Sequence, residues 1–160
     1  MGLRERLLAD YDHEIASTRR LLACVPADRL AWTPQAGCRT LAALAAHITH
    51  VVSWADAILA DSSFDLAAAP TAPDPLTSCD AVVALFDATA SRTRAALDRS
   101  DGELKVLWCL KRDGSELFAM PREAAFRAFV LHHMIHHRGQ LSICLRLAGV
   151  AVPAIYGPTG

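Results

Sequence analysis

The sequence predicts an all-α protein, an antiparallel four-helix bundle with a long crossover linker and a short hairpin-like segment before the last helix. Three observations predict it. Apolar residues recur every three or four positions through four long segments, proline or glycine interrupts the chain between them, and 52% of the 160 residues are hydrophobic, enough for one continuous core. A single domain over residues 1–160 follows from the length.

Residues 3–24 carry Leu8, Tyr11, Ile15, Thr18 and Leu22 on one inward stripe, and Pro26 ends the helix. Residues 27–38 contain Pro34 and Gly37 and read as a loop with Trp32 turned inward. Thr40 is the N-cap of a second helix over 41–60. A proline- and alanine-rich linker over 62–77 follows, long enough to join helices that are not sequential neighbours. Thr77 or Ser78 caps a third helix that ends near Arg99, with Val82, Phe86, Ala90, Thr93 and Leu97 inward. Residues 104–120 change character, and Asp113-Gly114 between apolar residues signals a β-hairpin turn. Pro121 opens the fourth helix, 122–148, and Gly149 stops it.

Composition excludes several classes. Sixteen basic and seventeen acidic residues are intermixed, giving a net charge of −1 and no basic stripe for nucleic acid. Leu41–Ala60 is the most apolar stretch, but His47, His50 and Asp56 interrupt it, so no membrane partner is expected. The N-terminus reads as a charged helix rather than a signal peptide, and five dispersed cysteines without a CxxC pair suit reduced thiols. The expected location is cytoplasmic.

Histidine is the distinctive residue, with seven in all and four inside LHHMIHHRGQ. On the second helix His47 shares the apolar line of Leu44, Val51, Trp54 and Ile58, opposite Thr49, Ser53 and Asp56. His50 lies at the boundary. On the fourth helix two i,i+4 pairs compete, and either would stack two imidazoles within reach of one ion. His133/His137 continue Phe126, Val130, Leu141, Cys144 and Ala148. His132/His136 continue Ala125, Phe129, Gln140, Ile143 and Leu147. Gln140 in the second line favours His133/His137, yet the periodicity leaves both pairs open, as it leaves open histidines that merely pack. Three neutral imidazoles suit a divalent ion such as zinc, nickel or iron(II), and a three-histidine set keeps positions free for water or substrate. His13 and the acidic residues read as surface groups, Cys144 as core filler and Arg138 as polar-side. No residue stands out as a catalytic base. Surplus apolar surface on helices two and four predicts a homodimer.

TLAALAAHITHVVSW, LHHMIHHRGQLSICLRLAGV and VPAIYGPTG together resemble the DinB-like (damage-inducible) family of metalloproteins. The resemblance implies a four-helix bundle whose metal ligands are His47, His133 and His137, with His136 not a ligand. The expected metal, from the imidazole donors, is zinc or nickel, with iron or manganese as alternatives. The resemblance further implies a metal-dependent enzyme on small molecules, an S-transferase using a low-molecular-weight thiol. A hydrolase with metal-activated water and a non-catalytic metal-binding or stress-response protein are the alternatives.

Overall fold

A computed structural model describes residues 1–68 and 78–157. The fold is mostly helical: α1 (Leu3–Leu22), α2 (Leu41–Ala60), α3 (Cys79–Ala96) and a short α4 (Asp101–Leu104) precede a long C-terminal helix. That last helix runs unbroken through α-helical Arg122–Phe126, a π turn over Arg127–His132 and α-helical His133–Leu147. The long helices start and stop as their sequences dictate. Thr40 and Ser78 accept hydrogen bonds from Ala43 N and Ala81 N, each at 3.1 Å. Gly149, at φ +75°, closes the last helix: its N–H donates to Arg146 O, and the Val150 N–H donates to Leu145 O.

α2 and α1 each pack against both α3 and the C-terminal helix, so α1 and α2 stand diagonally across the bundle. The diagonal connection is made by residues 23–40, whereas the 62–77 linker joins α2 and α3, which pack side by side, so the non-sequential step falls one connection earlier than expected. All five positions expected inward on α3 are buried. By length and composition α2 could cross a membrane, contrary to the sequence reading. Twelve of its 20 residues are buried in the bundle, however, as in a core helix of a folded domain.

The bundle is not purely helical, which corrects the all-α expectation. The hairpin is present as β2 (Leu107–Arg112) and β3 (Ser115–Pro121), turning on Asp113 and Gly114, both at positive φ as a type I′ turn requires. A third strand, β1 (Ser63–Asp65), lies where only linker was expected and pairs parallel with β2, Phe64 opposite Leu110. Its reason is a long-range contact. The Asp65 carboxylate accepts hydrogen bonds from the backbone N–H groups of Asp113 and Gly114, at 3.1 and 2.7 Å, and so clips the linker to the hairpin turn. Trp108 on β2 is wholly buried and donates to Ala57 O at 3.2 Å, fastening the sheet to α2. The rest of the linker, Thr77 and Pro158 lie outside the described residues.

The π turn corrects the helical wheel. One extra residue per turn rotates everything after it by about 100°. Buried positions there are Met134, Arg138, Leu141 and Leu145, whereas Cys144 is only half-buried. Arg138, expected on the polar side, is therefore among the most buried side chains, at 1% exposure. Its guanidinium pairs with Glu14 at 2.6 Å, donates to Thr18 Oγ1 and meets Tyr156 of the C-terminal tail. The tail does tie to this arginine, but from inside the fold.

Candidate metal centre

His47 stands midway along α2, and His133 and His137 occupy the first turns after the π segment. Each is half-buried, on the flank of its helix between core and surface. One ligand nitrogen from each imidazole lies within 4.8 Å of the other two, so the cluster could hold a metal ion. The structure thus brings together the three histidines singled out in the sequence. His132 and His136, the rival pair, are exposed and outside the cluster. His50 turns toward a separate cavity of about 410 Å³ beside Trp54 and Phe64.

His47 Nε2 and His137 Nε2 are 3.0 Å apart. Two imidazole nitrogens bonded to one ion at roughly 2.0–2.1 Å stand roughly 2.9–3.4 Å from each other, so the observed spacing fits a shared ion. The outer contacts set the tautomers. His137 Nδ1 lies 2.7 Å from Gln140 Oε1, and Gln140 Nε2 lies 3.0 Å from His136 Nε2. With the amide oxygen as acceptor, the His137 proton sits on Nδ1 and the Nε2 lone pair points at His47. Gln140 therefore joins His136 to His137. The backbone of Phe129, in the π turn, opposes the lowering of the His133 pKa. His47 Nδ1 is buried without a hydrogen-bond partner, so packing and the Nε2 contact with His137 orient that ring.

All three imidazoles are held neutral, the form a metal requires. Burial pushes His47 down to about 4, helped by the His137, Arg39, His133 and His50 charges. Burial also lowers His133 and His137. His137 and His136 add to the shift at His133, whereas the Gln140 hydrogen bond opposes it at His137. The unfolded chain takes up protons below the ordinary value of 6.5, before the native chain does. The metal-free protein is therefore expected to lose stability as pH falls from 6.5 toward about 4, where His47 itself titrates. Urea unfolding across that range checks this, with His47→Ala flattening the slope.

A cavity of about 390 Å³ opens beside the cluster, between the loop carrying Pro34, Cys38 and Arg39, Leu44 of α2, and residues of the C-terminal helix. His137 is on its wall. Sequence reasoning did not find Arg39, which has no periodic signal and lies in a loop, nor the π turn.

Fold and site together define a helical protein with a three-histidine cluster. The DinB family model matches residues 5–159, and the chain belongs to the DinB family. The crystal structure of a DinB-like protein from Bacillus cereus ATCC 10987 superposes with a TM-score of 0.77, covering 95% of this chain and 97% of that one. At 22% identity that likeness concerns the fold. A 30-residue stretch is 53% identical to the uncharacterized protein YrdA of Bacillus subtilis (strain 168), spanning 19% of this chain and only 18% of YrdA.

Proposed function

We propose that this protein binds one divalent metal ion on His47, His133 and His137 and acts as a metal-dependent enzyme on small molecules, with a low-molecular-weight thiol as nucleophile. The observation that carries the proposal is the meeting of three neutral imidazoles, two of their Nε2 atoms 3.0 Å apart, beside a cavity of about 390 Å³. A bound ion supplies Lewis acidity, which lowers the pKa of a thiol or of water. Zinc or nickel suits imidazole best, with iron or manganese as alternatives.

The chain's own residues do the rest. Three histidine ligands leave coordination positions open. Gln140 holds His137 in one tautomer, and Pro34, Leu44 and Ile143 give the cavity an apolar wall. Among the described residues lining that cavity there is no carboxylate to take a proton from water. This favours a thiol over hydrolysis, because a thiolate attacks without further help from a base. In the transfer a sulfur–carbon bond forms, the bond from carbon to the leaving group breaks, and the thiol proton goes to solvent. We place the enzyme in the cytoplasm as a homodimer. Ile143 and Leu147 support the dimer, standing 61% and 65% exposed on the C-terminal helix.

The test is tag-free protein loaded with zinc or nickel and supplied with cysteine or glutathione and an electrophilic aryl chloride. The proposal expects thioether formation that requires the metal and falls with His137→Ala. Metal bound tightly with no thioether formed points to a non-catalytic metal-binding protein. Metal-dependent cleavage of an ester without thiol points to a hydrolase.

A further inference from the structure

Arg39 is the residue of the cavity that neither the fold nor the metal cluster explains. The molecule's arginines are otherwise largely engaged: Arg19 pairs with Asp87, Arg94 with Asp12, Arg127 with Asp10 and Arg138 with Glu14. Among the described residues no carboxylate lies within 4 Å of the Arg39 guanidinium. It lines the same cavity as His137, whose remaining walls include Pro34, Leu44 and Ile143. It is the one cationic side chain among the described residues that line this space.

We propose that Arg39 is the specificity determinant of this cavity, which takes a small monoanionic carboxylate with an apolar body. The carboxylate meets the guanidinium, and the apolar part lies along Leu44 and Ile143 toward His137. Three properties give that class. The volume, about 390 Å³, is near the lower end of the roughly 300–1,000 Å³ of small-molecule sites, which sets the size. The apolar walls match an apolar body and offer few polar partners. A single guanidinium balances a single negative charge and presents the planar donor fork that a carboxylate accepts. A dianion such as a phosphate ester would need a second cation, and the described lining has none. Arg39 and His137 line the same cavity, so a carboxylate bound to the guanidinium shares that space with the His137 imidazole.

This inference rests on the cluster being the catalytic centre only for what happens to the bound molecule; the anion site itself belongs to the cavity. The experiment separates the two. Calorimetry compares phenylacetate, its neutral analogue phenylacetamide, and phenylphosphonate, on both zinc-loaded and metal-free protein. Arg39 is an exposed loop residue, so Arg39→Gln leaves the fold intact. The expected result is a preference of about tenfold for phenylacetate over phenylacetamide in both forms of the protein, falling to near unity in Arg39→Gln and partly kept in Arg39→Lys. A preference that survives Arg39→Gln overturns the proposal. If it survives only with zinc, the anion goes to the metal and the metal reading stands. Tighter binding of phenylphosphonate than phenylacetate overturns the monoanion assignment, and no binding of any of the three overturns the cavity as a substrate site. If zinc does not bind at all while the Arg39-dependent preference persists, the metal reading fails and the anion site remains.

Discussion

Alanine at His133 or His137 is expected to lower zinc affinity by about 100-fold or more, while alanine at His132 or His136 leaves it within about threefold. Removing an outer hydrogen-bond partner of a metal ligand already costs roughly 10–100-fold, so removing a ligand exceeds that range. His132 and His136 lie outside the cluster, and His136 meets it through an edge-on contact with the His137 ring, 5.0 Å between centroids, and through Gln140, whose own bond to His137 Nδ1 stays in place. Competition against a chromophoric chelator measures all four variants on one scale. Loss of affinity in His132→Ala or His136→Ala, with His133→Ala unaffected, would put the ligand register one residue away from the one described.

The second large effect concerns stability. Arg138→Met is expected to destabilise the protein by about 3–5 kcal/mol, because it strands the Glu14 carboxylate in a largely buried position. The two side chains are 1% and 14% exposed and 2.6 Å apart. The same guanidinium lies 4.9 Å from the Tyr156 ring centre, so the C-terminal tail should loosen as well. Urea unfolding measures the loss, and Glu14→Gln added to Arg138→Met should recover part of it by removing the stranded charge. A loss under about 1 kcal/mol would mean that Glu14 re-solvates freely and the pair contributes little.

Periodicity and punctuation carried the helices. Thr40, Ser78, Pro121 and Gly149 mark ends that the structure reproduces, because caps and stops act through their own few residues. What escaped depends on residues far apart in the chain. β1 exists because Asp65 reaches a hairpin turn 48 residues later, and no local pattern announces that bond. The π turn at Arg127–His132 has no composition of its own, yet it moves Arg138 from the solvent side to the core. His47, His133 and His137 were legible as candidates from their inward stripes and i,i+4 spacing. The choice between His133/His137 and His132/His136 needed the family motif, because a regular wheel cannot see the extra residue. Gln140 looked like a mark against its own line, and instead it supports His137 from outside.

Whether the three imidazoles share one divalent ion is tested by titrating tag-free, metal-free protein with cobalt(II) and following its visible absorption. Ligand-field bands are expected to saturate at one ion per chain, to be displaced by zinc, and to disappear in the triple variant His47→Ala/His133→Ala/His137→Ala. Absence of any saturable binding in the wild-type protein, or the same saturation in the triple variant, would contradict the shared ion.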